Sequence, residues 1–203
     1  MKVAALAFLT LATAGLPARA LPKPVHIVCL GDSLTAGYNL PPDAAFPVVL
    51  GKALKADGVL AEVSNAGVSG DTASGGLERL DWAVPDGTNL VILELGANDM
   101  LRGLDPKVPQ AALDSIITRL KARHIKVLLA GMIATGNFGM DYKTRFDGIY
   151  PALAEKHHVA LYPFFLAGIT QAMIQPDGLH PTRAGVEVIT RGILPMVKAV
   201  AGG

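Results

Sequence analysis

A chain of 203 residues with a formal net charge of +1, 51% hydrophobic and 17% charged residues has the make-up of one compact domain able to bury a sizeable core without staples. That balance excludes a disordered chain and carries no basic field to draw in nucleic acid.

The first twenty residues, MKVAALAFLTLATAGLPARA, stand apart. Lys2 is followed by an apolar stretch from Val3 to Leu16 and then by Ala18-Arg19-Ala20. A charged start, an apolar middle and a small-x-small end predict a secretory signal cut after Ala20, and the apolar stretch is too short to span a bilayer comfortably. Removal leaves 16 basic against 17 acidic residues, a charge of −1 on residues 21–203, which read as a single domain. The expected location is the periplasm or the exterior, with no stable membrane insertion once the signal is cut.

Downstream, strand-like and helix-like segments alternate. Val25 to Leu30 is an apolar run of strand length, and its one cysteine, Cys29, reads as a small core hydrophobe rather than a nucleophile. Ala44 to Lys55 predicts a helix, with Phe46, Val49, Leu50 and Leu54 at helical spacing. Glu62 to Ala66 is a brief second strand and Leu90 to Leu95 a third. Val108 to His124 carries Leu113, Ile116, Ile117 and Leu120, the stripe of an amphipathic helix. A fourth strand starts at Ile125, Asp147 to His157 reads as helical, Val159 to Phe164 as a fifth strand, and Pro181 to Ala201 as a closing helix with proline in its first turn. Continuous apolar strands alternating with helices predict an α/β domain: a parallel sheet of about five strands between two helical layers. In such sheets ligands bind beyond the carboxyl ends of the strands.

Polar clusters follow those strand ends. Gly31-Asp32-Ser33-Leu34 follows the first, Ser69-Gly70-Asp71-Thr72 the second, Gly96-Ala97-Asn98-Asp99 the third, and Asp177-Gly178-Leu179-His180 lies beyond the fifth. Each has a plain structural alternative. The first could be an ordinary turn, the second a helix cap on Asp71 or Thr72, the third a cap or Asx turn, and His180 a helix-start residue. Their coincidence at successive strand ends favours a site.

A serine nucleophile needs a base, and the base needs a group that holds its tautomer and supports its cation. Ser33, His180 and Asp177 are the candidates, Asp177 lying three residues before His180 on one turn. Residues two before and two after Ser33 are Gly31 and Thr35, so the Gly-x-Ser-x-Gly elbow of α/β-hydrolases is absent. The backbone N–H groups of Ser33 and Gly70 and the side-chain amide of Asn98 are the candidate oxyanion donors. Asp32 is expected to support the turn. Leu101, Ile133 and Phe138, with Met140 and Tyr142 of the segment 134–146, could line an apolar acyl groove; a plain surface loop fits that segment equally well. His26, His124, His157 and His158 show no metal-ligand spacing with acidic partners, and there is no phosphate-binding loop. Gly75, Gly76 and Gly136 read as turn residues and Trp82 as a packing residue.

These four blocks, Ser33 in GDSL, Gly70 in SGDT, Asn98 in GAND and His180 in DGLHP, resemble the SGNH or GDSL hydrolases. The match runs from Ile27 to about Arg183. LGDSLTAGY, SGDTASGGLERL and ILELGANDMLRG are most similar to its bacterial periplasmic branch of thioesterases, lysophospholipases and arylesterases. Ala97 and Met100 depart from the glycine frequent at both positions, which bears on the loop beside Asn98 and on substrate range. The resemblance implies a flavodoxin-like three-layer fold, a Ser33-His180-Asp177 acyl-enzyme mechanism, no cofactor or metal, and a small acyl ester, thioester or lysophospholipid as substrate. It leaves two alternatives, a carbohydrate O-deacetylase and a non-catalytic lipid-binding module. A monomer is expected.

Overall fold

The computed structural model describes residues 23–202; the expected signal at 1–20 lies outside them. In chain order the elements are β1 (Val25–Gly31), α1 (Ser33–Ala36), α2 (Phe46–Ala56), β2 (Ala61–Gly67), α3 (Ala73–Glu78), α4 (Leu80–Ala83), β3 (Leu90–Glu94), α5 (Ala97–Leu101), α6 (Lys107–Ala122), β4 (Lys126–Ala130), α7 (Gly139–Asp147), α8 (Ile149–His157), β5 (Ala160–Tyr162) and α9 (Arg183–Gly202).

The five strands form one parallel sheet in the order β2-β1-β3-β4-β5. On one side α2 packs on α9, α2 on β2, and α9 on β4 and β5; elsewhere α6 packs on α3, α8 and β4, giving the expected three layers. Ile27 to Leu30 and Leu90 to Leu93 are buried because both faces of the central strands are covered. The edge strand β2 differs: Ser64 and Glu62 share it with apolar residues, and half of it meets solvent. On α2, Phe46, Leu50 and Leu54 are fully buried one turn apart, and Phe46 meets Phe165 edge-on at 5.0 Å. Each such side chain contributes roughly 1.5–3 kcal/mol by leaving water.

Several local expectations are corrected. The segment 134–146 is largely helix α7, not a loop, and Gly148 separates α7 from α8. Phe138, Tyr142, Phe146 and Tyr150 follow one another at four-residue spacing with ring centroids 5.2, 6.1 and 5.9 Å apart. That aromatic ladder turns the segment inward and orders it. Gly75 and Gly76 lie inside α3 rather than in a turn, and a side chain at either would strike Asp71 or Leu95, which accounts for glycine at both. Trp82 is 73% exposed, since α4 buries Leu80 instead. The last helix starts at Arg183, two residues after Pro181, which pairs with Ile174 in an isolated bridge.

The strand order reverses between β1 and β3. Their carboxyl ends, Gly31 and Glu94, are register partners, so the segments after them open onto the same crevice.

Candidate active site

The chain leaves β1 at Gly31 with no room for a side chain: a Cβ there would lie 2.1 Å from Thr35 Oγ1 and 2.6 Å from Glu94 Oε2. Asp32 then caps α1, its Oδ1 accepting the Leu34 N–H at 3.0 Å. Ser33 is the first residue of that short helix. Its Oγ stands 2.8 Å from His180 Nε2, and His180 Nδ1 stands 2.7 Å from Asp177 Oδ2. The other oxygen of Asp177 accepts the N–H groups of Leu179 at 2.9 Å and His180 at 3.0 Å. Those two bonds, followed by the His180 ring, pull the Asp177 carboxyl down to about 2, so it is ionised at neutral pH.

His180 sits on a turn that Gln175 ties down. The Gln175 side-chain amide donates to the carbonyls of Tyr38 and Pro181, both at 2.9 Å, and its N–H donates to the His180 carbonyl at 2.7 Å. The Tyr38 ring lies 4.5 Å from the imidazole. Gln175 was not legible as a site residue, and Tyr38, although it closes the stretch LGDSLTAGY, was not legible as a neighbour of His180, because they act through backbone carbonyls and ring contact.

Gly70 adopts φ +82°, where a side chain would be strained, and its carbonyl accepts Arg102 at 2.8 Å. Asn98 extends from α5, and its Nδ2 donates to the Asp71 carbonyl at 2.9 Å and to Asp32 Oδ2 at 3.1 Å. Both of its amide hydrogens therefore have acceptors. The N–H groups of Ser33 and Gly70 find none among the described residues. Thr72 caps α3 and Asp99 accepts the Ala73 N–H at 2.8 Å, so the helix-capping alternatives hold for these two residues.

Beneath the turn lie two buried carboxyls. Burial raises Asp32 to about 6. It raises Glu94 well above the usual carboxylate range, with Asp32 adding to the effect. Glu94 Oε2 accepts the Thr35 hydroxyl at 2.7 Å and the Asp32 N–H at 3.3 Å. Asp32 thus supports the turn, as expected, and also orients Asn98.

Ser33, Gly70, Asn98 and His180 line one cavity of about 400 Å³ whose walls are mostly apolar. Leu101 and Ile133 line it; so do Ala97 and Met100. Phe138 does not. It lies against Gly103 and Tyr142 as the first rung of the aromatic ladder, and Met140 is 70% exposed to solvent. Met132, Phe164, Leu166 and Ile174 complete the wall instead. Ser69 is a second serine on the lining. Cys29 is buried in β1, where desolvation drives its thiol pKa far up and leaves it inert. Among the described residues no group of three or more His, Cys, Asp or Glu is placed to hold a metal ion.

The model of the GDSL-like lipase/acylhydrolase family matches residues 29–188, which takes in all four blocks. The chain belongs to that family. This GDSL-like chain is 37% identical over 175 residues to esterase TesA of Pseudomonas aeruginosa, covering 85% of this chain and 87% of the relative. It is 37% identical over 160 residues to the thioesterase 1/protease 1/lysophospholipase L1 of Escherichia coli K12, covering 77% and 76%. The crystal structure of AlinE4, an SGNH-hydrolase family esterase, superposes with a TM-score of 0.75 at 42% identity, covering 89% of this chain and 98% of that one.

Proposed function

We propose that this GDSL-like chain hydrolyses carboxylic esters through a Ser33 acyl-enzyme, with His180 as general base and acid and Asp177 as its ionised partner. Membership of an acylhydrolase family makes the chain a carboxylic ester hydrolase. The observation that supports these residues is the unbroken relay Ser33 Oγ–His180 Nε2 at 2.8 Å and His180 Nδ1–Asp177 at 2.7 Å, at the mouth of an apolar cavity.

Ser33 Oγ attacks the acyl carbon as His180 Nε2 takes its proton. The carbonyl electrons move onto oxygen and meet the N–H groups of Ser33 and Gly70 and the Asn98 amide. Of the two bonds Asn98 makes, the one to Asp32 is the longer, 3.1 against 2.9 Å, and is the one a developing oxyanion would replace. When the carbonyl re-forms, His180 returns the proton to the departing alcohol or thiol. Water, deprotonated by His180, then attacks the acyl-Ser33 carbonyl, and collapse releases the acid and restores the serine. Asp177 keeps the imidazole in one tautomer and stabilises its cation throughout.

The cavity suits a small to medium acyl chain, with Leu101 and Ile133 on its wall, and with aryl ester, thioester or lysophospholipid leaving groups outside it. Residues 1–20 would direct the chain to the periplasm or beyond, where it would work as a monomer. No helix among the described residues is long and apolar enough to cross a membrane.

The test is kcat/KM on p-nitrophenyl esters from acetate to palmitate, beside one acyl thioester, for the wild type and Ser33→Ala. Turnover with a short- to medium-chain optimum is expected, falling roughly 10⁴-fold or more in the variant. A folded Ser33→Ala protein with wild-type rates overturns the reading. Turnover of acetylated glycans alone would favour the deacetylase.

A further inference from the structure

The residue that links the site's segments is Arg79, at the boundary of α3 and α4, nine residues after Gly70 in the stretch SGDTASGGLERL. It is only 7% exposed. Its guanidinium makes three bonds in three directions. Nε donates to Asp71 Oδ2 at 2.6 Å, one terminal nitrogen to the Ala66 carbonyl at 2.8 Å, and the other to the Gly31 carbonyl at 2.9 Å.

Each acceptor adjoins a proposed oxyanion donor. Gly31 ends β1 two residues before Ser33. Ala66 lies at the end of β2, which feeds the turn carrying Gly70. Asp71 follows Gly70, and its own carbonyl holds the Asn98 amide at 2.9 Å. One rigid, planar cation therefore ties together the segments that present all three donors. Space is reserved for this contact: a Cβ on Gly75 would lie 2.0 Å from Asp71 Oδ1. The exposed Trp82 ring centre lies 6.0 Å from the guanidinium carbon.

A buried ion pair is poor evidence for stability, because desolvation offsets its attraction. Its directional bonds are what an apolar replacement would lose. We propose that Arg79 is a positioning residue: it sets the mutual placement of the Ser33, Gly70 and Asn98 donors and so acts on the transition state rather than on substrate binding. This rests on the oxyanion assignment above.

The experiment compares wild type, Arg79→Lys, Asp71→Asn and Asn98→Ala, each with active sites counted by fluorophosphonate titration. Lysine keeps the charge but cannot hold three acceptors in one plane. Asparagine at 71 keeps the backbone carbonyl and removes the ion pair, and it carries the test alone if Arg79→Lys does not fold. The expected result is a kcat per titrated site reduced roughly 10- to 100-fold with KM within about threefold. Asn98→Ala is expected to lower kcat roughly 10²–10³-fold. Combined with Arg79→Lys it should cost less than the product of the two, because both act through one set of donors. An unchanged kcat per site with only a lower Tm would make Arg79 a stability residue and overturn the proposal. Turnover surviving in Ser33→Ala would instead overturn the mechanism on which it rests.

Discussion

Two histidine–aspartate pairs lie among the described residues, and they do different things. His180 Nδ1 meets Asp177 at 2.7 Å, while His157 Nε2 meets Asp114 at 2.5 Å. The second nitrogen of His180 meets the Ser33 hydroxyl at the wall of an apolar cavity. Asp177 takes its other bonds from the N–H groups of its own turn, and among the described residues no cation besides His180 pairs with it. Asp114 is shared with Lys156, at 2.7 and 2.8 Å, which is the main reason its carboxyl is held below the usual range. His157 in addition offers its carbonyl to Lys121. That pair clamps α8 to α6. A histidine beside a carboxylate becomes a catalytic candidate only through what its other nitrogen meets and whether the carboxylate's charge is free for it.

The comparison would break if the two histidines proved interchangeable in their effects. His180→Asn is expected to lower kcat/KM by roughly 10⁴-fold or more. His157→Asn should leave kcat/KM within about threefold and lower the unfolding free energy by roughly 0.5–1.5 kcal/mol, the worth of an ordinary hydrogen bond. Ester kinetics and urea unfolding on the two folded variants measure both. Comparable activity losses would remove the distinction.

A smaller effect sharpens it through pH. Asp114 titrates below its ordinary 3.8, so its stabilising contribution is complete above that value and is lost as pH falls through the depressed one. Asp32, under the site, has the opposite sign. In the folded chain it keeps its proton up to about 6, whereas the unfolded chain releases it near 3.8. Its contribution to stability therefore declines as pH rises across that window. Urea unfolding from pH 3 to 8 should show Asp32→Asn gaining on the wild type between about 3.8 and 6 and then levelling off. Asp114→Asn should be less stable at neutral pH, with the deficit shrinking below 3.8. Two parallel curves would contradict these assignments.

Much of the fold was legible because its signals are local. The buried runs Ile27–Leu30 and Leu90–Leu93 and the stripe from Leu113 to Leu120 declare strand and helix through spacing alone. The half-exposed β2 was the weakest strand signal, since an edge strand mixes polar and apolar residues. Helix α7 was missed because its order comes from an aromatic ladder that reads, residue by residue, as a polar loop with scattered rings. At the site, the polar clusters at the strand ends mark where the chain leaves the sheet, and the structure brings Ser33, Gly70, Asn98 and His180 to one cavity. The groove was half legible: Leu101 and Ile133 reach it, but Phe138 is spent on the ladder. Arg79 stands inside the stretch SGDTASGGLERL, but its role and that of Gln175 stayed hidden because both bond to backbone carbonyls distant in sequence, which residue type alone does not reveal.

The most direct test of the central claim is covalent labelling with a fluorophosphonate, followed by intact mass and peptide mapping. The account predicts one adduct per chain, on Ser33, none on Ser33→Ala, and far slower labelling of His180→Asn. An adduct on Ser69, the other serine of the cavity lining, or no adduct on a folded wild-type protein would contradict it.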